Sequence, residues 1–92
     1  MGYRLVVLPT ALRQIGELPK SVRQRVANRL SWLCENASLM IHHPLSGMPL
    51  HLAGLCKLWS GDYRILYWKF PNDDLIEVFA VGHRSEIYRK FA

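Results

Sequence analysis

The final eleven residues, GHRSEIYRKFA (82–92), gather side chains that move protons and side chains that hold phosphates. An imidazole such as that of His83 both takes and gives a proton near neutral pH. Arg84 follows directly, and Tyr88, Arg89 and Lys90 come within the next six residues. A guanidinium grips a phosphate with two parallel donors. A phenol serves as a base where neighbouring cations stabilise its ionised form. Two readings stand at this point: the solvated end of a helix, or one wall of an active site.

Elsewhere the candidates are fewer. Arg64, in GDYRILY, is either a second phosphate-directed cation or a surface residue in an ordinary ion pair. Lys57 alternates with Cys56 and Leu58 on a strand-like run, so it faces away from one packed surface and either meets phosphate or is solvated. His42 and His43 precede Pro44 without an Asp, Glu or Cys at ligand spacing, which argues against zinc. No metal or other cofactor is expected. Asp62, Asp73 and Asp74 stand in turn contexts and are conformational. Trp32, Trp59 and Trp68 could stack on bases, although core and partner-facing positions are the commoner use of tryptophan in so small a chain.

The elements that must position these residues follow from pattern. The run YRLVVL (3–8) reads as a strand ended by Pro9, and TALRQIGEL (10–18) as a short helix weakened by Gly16. In SVRQRVANRLSWLCENA (21–37) the residues Val22, Val26, Leu30, Leu33 and Ala37 recur at the helical period, with Ser21 placed to cap. Segment 35–54, with two prolines and two glycines, reads as a connecting loop. Residues 55–60, 62–70 and 75–82 read as three strands joined by tight turns at Gly61–Asp62 and Pro71–Asp74. The predicted fold is α+β in the order β-α-α-β-β-β-α, an antiparallel meander with an N-terminal helical hairpin on one face and a short closing helix. In such a helix Arg84 and Tyr88, four apart, share a face.

Composition bounds the rest. The 92 residues support one domain over 1–92 with one small core. Half of them are hydrophobic, which excludes a disordered tail. No apolar run approaches the roughly 18 residues of a membrane span, and no leader-type cleavage site follows the opening MGYRLVVLPT. Cys34 and Cys56, outside any CxxC, read as reduced core residues, which predicts a cytoplasmic location. The net charge of +5 is uneven: Arg4, Arg13, Lys20, Arg23, Arg25 and Arg29 face only Glu17 in the first thirty residues. A basic chain favours polyanions or an acidic partner; charge alone does not separate RNA, DNA and protein.

KLWSGDYRILYW (57–68) followed by VFAVGHRSEIYRKF (78–91) resembles the RelE branch of the RelE/ParE toxin superfamily of type II toxin–antitoxin systems. LSGMPLHLAGLCKL (45–58) is similar to the loop these toxins carry before the second strand. The resemblance covers nearly the whole chain and implies the same element order. It implies a metal-independent endoribonuclease that cuts messenger RNA, often in the ribosomal A site. Its partners would be a cognate antitoxin, mRNA and the ribosome, with no membrane, and with DNA met only through the antitoxin. By position it implies catalytic roles for Arg64, His83, Arg84 and Tyr88, and RNA contacts for Lys57, Arg89 and Lys90. Trp59 stands where many members have arginine, and Leu55 where some have lysine. ParE-type members share the fold and poison DNA gyrase; a gyrase-directed toxin, or an inactive chain that only binds antitoxin, is therefore the alternative. The basic helical hairpin, together with the sheet edge, would be wrapped by an acidic or amphipathic antitoxin segment. That segment would inhibit either by covering Arg64 and Arg84 or by displacing the short terminal helix that carries Tyr88, the second route with little damage to the core.

Overall fold

Prolines set where both helices begin. In the computed structural model, which describes residues 2–89, Pro9 occupies the first turn of α1 (Pro9–Gly16), where its missing N–H costs nothing. Pro19 is the N-cap of α2 (Lys20–Asn36). Ser21, expected to cap, lies inside the first turn, and neither helix has a side-chain cap. The apolar stripe of α2 is buried throughout, with Val26 and Leu33 fully so. No described helix is long and apolar enough to cross a membrane.

The strands are β1 (Arg4–Val7), β2 (His43–Pro44), β3 (Cys56–Ser60), β4 (Tyr63–Phe70) and β5 (Leu75–His83). They form one sheet in the order β1-β5-β4-β3-β2. The expected meander is present, β3 to β4 to β5, all antiparallel. β1 lies at the edge, parallel to β5, from Arg4 opposite Leu75 to Val7 opposite Val78. Part of the expected connecting loop is structured: His43 and Pro44 pair with Lys57 and Cys56, and Leu50–Leu52 forms a 3₁₀ turn. Proline is tolerated there because β2 is an edge strand.

The helices cover one face of the sheet. Val26, Leu30 and Leu33 pack with Leu58, Ile65, Tyr67, Ile76 and Val78. The opposite, outer face carries a second cluster of Leu55, Leu66, Ala80 and Ile87, flanked by Leu45, Met48, Trp68 and Phe79. The β4–β5 register steps by one between Leu66 and Tyr67. That bulge turns both Phe79 and Ala80 to the second cluster, which a strict alternation would forbid.

The closing helix is not found among the described residues. Residues 84–88 are successive turns: the amides of Glu86 and Ile87 both donate to the carbonyl of His83 at 2.9 Å, and Arg89 donates to Glu86 at 3.1 Å. One turn fixes many dihedrals for few hydrogen bonds, and the burial of Ile87 turns the chain down onto the sheet. A Cβ at Gly82 would lie 3.0 Å from Cδ1 of Ile87, so glycine makes room for this close approach. Lys90 lies outside the described residues.

Candidate active site

The β3–β4 hairpin is the hub of the candidate site. Gly61 has φ +59°, and Ser60 pairs with Tyr63; a glycine with positive φ at the first turn position suits this tight connection. Guanidinium groups from three parts of the chain converge on it. Arg64 donates from Nη1 to the carbonyls of Gly61 at 3.0 Å and Tyr63 at 3.1 Å. The backbone of Arg84 donates to the Asp62 carbonyl at 2.8 Å, and its Nε stands 3.6 Å from the Asp62 carboxylate. Arg29 of α2 donates from Nε to the Trp59 carbonyl at 2.8 Å. Arg25 lies beside Gly61, its Nη1 3.4 Å from where a Cβ would stand. The Arg84–Asp62 pair is about two-thirds exposed on both sides, so it is weak and a phosphate can displace it.

The outer face continues this basic surface. Lys57, Trp59 and Arg64 share it, because Trp59 pairs with Arg64 and Lys57 is two residues back. Nζ of Lys57 stands 5.3 Å and Cζ of Arg64 5.8 Å from the Trp59 ring centroid. His43, paired with Lys57, meets the same indole edge-on at 5.7 Å.

His83 is on the other side. It pairs with Tyr63, whose ring it meets at 5.3 Å, and it lines a cleft of about 600 Å³ with Gln14, Glu17 and Glu86, beside the C-terminal end of α1. Its Nδ1 accepts the backbone N–H of Ser85 at 3.1 Å and lies 2.8 Å from the Ser85 hydroxyl. A backbone N–H only donates, so the neutral ring carries its proton on Nε2. Tyr88 and Arg89 are exposed on the turn past Ile87.

Of the expected residues, then, Arg64 and Arg84 meet at one turn and Lys57 adjoins Arg64. His83 and Arg64 stand on opposite faces, and the helical alignment of Arg84 with Tyr88 is absent. Trp59, weighed from the sequence only as one of three tryptophans that could stack on bases, joins the site, and His43, Arg25 and Arg29 join it unannounced. The spacing of Trp59 to Lys57 was a legible signal for the first; the others are placed by long-range packing. Arg13 and Arg23 of the hairpin are engaged locally, with Glu17 at 3.9 Å and the Leu18 carbonyl at 3.3 Å. No three His, Cys, Asp or Glu side chains among the described residues come together as metal ligands. Both cysteines are free thiols. Burial, with Glu35 adding, raises the Cys34 pKa; burial raises that of Cys56 against the pull of Lys69.

The model of the ParE toxin of type II toxin–antitoxin systems matches residues 5–88. A chain of the RelBE2 toxin–antitoxin complex from Mycobacterium tuberculosis is 26% identical with a TM-score of 0.76, over 91% of this chain and 100% of that one. An arginine double mutant of the E. coli toxin RelE in the free state is 27% identical with a TM-score of 0.72, over 99% and 95%. The archaeal RelE–RelB complex from Pyrococcus horikoshii, at 20% identity and a TM-score of 0.70 over 94% and 99%, shares the fold. No curated protein matches the chain.

Proposed function

Because the chain belongs to the ParE toxin family of type II toxin–antitoxin systems, and is RelE-like in structure, we propose that it is a metal-independent endoribonuclease. It cuts messenger RNA at the ribosomal A site, in the cytoplasm, and is restrained by a cognate antitoxin. The observation that carries this reading is the convergence of Arg64 and Arg84 on the Gly61–Tyr63 turn, beside Lys57 on the outer face.

In the proposed reaction the ribose 2′-oxygen attacks the adjacent phosphorus. The 2′-O–P bond forms, the P–O5′ bond breaks, and a 2′,3′-cyclic phosphate results. Arg64 and Arg84 hold the phosphoryl oxygens as charge builds on them, a contribution of about 10²–10³-fold per donor. Tyr88, on the turn past Arg84, takes the 2′ proton and water returns one to the 5′-oxygen, acid–base help worth about 10²–10⁴-fold. His83, expected to share this task, faces the α1 cleft on the opposite side from Arg64. Lys57, Arg89 and Lys90 hold the RNA backbone.

Mapping 5′ ends of RNA in cells expressing the protein, with and without translation blocked, tests the reading. Cuts inside translated regions that vanish when translation stops are expected; intact transcripts during growth arrest overturn it. The ParE name of the matching family favours a second reading, action on DNA gyrase. That reading requires stalled replication and DNA-damage signalling with transcripts uncut.

A further inference from the structure

Trp59 breaks the economy of a small domain by leaving an indole 41% exposed on a regular strand. The other two tryptophans have local partners. Trp68 donates from Nε1 to the Ala53 carbonyl at 3.1 Å and packs edge-on with Phe79 at 5.2 Å. Trp32 lies against the Arg29 guanidinium at 4.4 Å. Trp59 instead stands among groups suited to a nucleotide. Lys57 and Arg64 approach its ring from the same strand and the next, and the exposed His43 walls one side at 64° to the indole.

We propose that Trp59 is a stacking platform for one unpaired base of single-stranded RNA, with Lys57 and Arg64 holding the phosphates that flank that base and His43 bordering it. The proposal rests on the ribonuclease reading and adds to it a base-binding position. Every base offers a π-face, and aromatic platforms lined by cations are how sheet surfaces hold single strands. A cationic partner would be repelled by Lys57 and Arg64. An acidic peptide would satisfy the cations and leave the indole wet. A nucleotide satisfies both. The platform is also rigid: Trp59 is paired to Arg64 on one side, and its carbonyl is held by Arg29. Little strand freedom is therefore lost on binding.

The test is anisotropy titration of a labelled single-stranded RNA with 2′-O-methyl riboses, which cannot be cut by 2′-oxygen attack, against the full chain and its Trp59→Ala, Trp59→Phe and Arg64→Ala variants. Trp59→Ala should weaken binding about 10- to 100-fold with the salt slope unchanged. Trp59→Phe, which keeps a ring and guards against a folding artefact, should retain most of the affinity. Arg64→Ala should reduce the salt slope by about one phosphate. If Trp59→Ala binds within twofold of wild type while wild type still cuts RNA, the platform falls and the nuclease reading stands. If Trp59→Ala loses only antitoxin affinity, the indole is a protein anchor and the proposal is wrong. If wild type neither binds this RNA nor cuts RNA with ribosomes supplied, both fall.

Discussion

The hydroxyl of Tyr67 lies 2.6 Å from Nδ1 of His42, while Nε2 of the same ring lies 2.7 Å from the Ala37 carbonyl at the end of α2. A carbonyl only accepts, so Nε2 carries the proton and Nδ1 takes the one that Tyr67 donates. The imidazole thus ties the middle of β4 to the C-terminus of the long helix. A histidine next to Pro-rich loop sequence, legible only as an unlikely metal ligand, is a strut of the core.

Removing one end of that strut leaves the other part-buried and unmatched. Tyr67→Phe should therefore cost about 1–3 kcal/mol, or about 4–8 °C in melting temperature per kcal/mol for a domain of this size. A thermal melt indistinguishable from wild type would refute the strut.

Tyr67 also sets an alkaline limit. Burial above all, with Cys56 adding and Arg29 opposing, raises its pKa above the ordinary tyrosine value. The folded chain thus holds this proton where the unfolded chain has lost it. The associated stability is present below about pH 10, the unfolded value, and is lost as pH rises beyond it. Urea unfolding from pH 8 to 11 should show wild type weakening more steeply than Tyr67→Phe; parallel curves would exclude this origin.

Arg64→Ala and Arg84→Ala should each relieve growth arrest and slow RNA cleavage about 10²–10³-fold. Both residues bind turn carbonyls or an exposed carboxylate, so circular dichroism should stay native. Full toxicity in both variants would remove them from the site.

The terminal segment divides at Ile87. It is 2% exposed in the second cluster, so stripping residues 85–92 does reach the core, contrary to the expectation from sequence. That truncation should lose about 2–5 kcal/mol, as a large-to-small core change does. Ending the chain after Ile87 instead should abolish cleavage through loss of Tyr88, yet keep the fold and leave antitoxin affinity within about tenfold, roughly 1.4 kcal/mol. A chain lacking residues 88–92 that still cuts RNA would clear Tyr88 of any role.

Cleavage with ribosomes kept intact should survive EDTA, because the proposed steps use side-chain cations and proton carriers in place of a metal. Products should end in a 2′,3′-cyclic or 3′-phosphate on mass analysis. A 3′-hydroxyl end would refute attack by the 2′-oxygen.

Local pattern alone determined the two α-helices, β1 and the β3–β4–β5 meander, though not β2 or the turns past His83. The period of Val22, Val26, Leu30, Leu33 and Ala37 specified α2 and its buried face, and Gly61–Asp62 placed the hairpin that the arginines surround. These signals survive because each depends on residues within one turn or one strand of each other. Which face of the sheet the helices cover depends on contacts between distant segments, and alternation is silent about it. Tertiary packing therefore decided that Arg64 and His83 stand on opposite faces, with Arg64 opposite Gly82 in the β4–β5 register and His83 opposite Tyr63. The same packing separated two adjacent histidines, His42 into the core against Tyr67 and His43 out beside Trp59. It also brought Arg29 from α2 to the Trp59 carbonyl, thirty residues away along the chain. A one-residue step in a strand reverses the direction of a side chain, so neighbours in sequence became members of different sites.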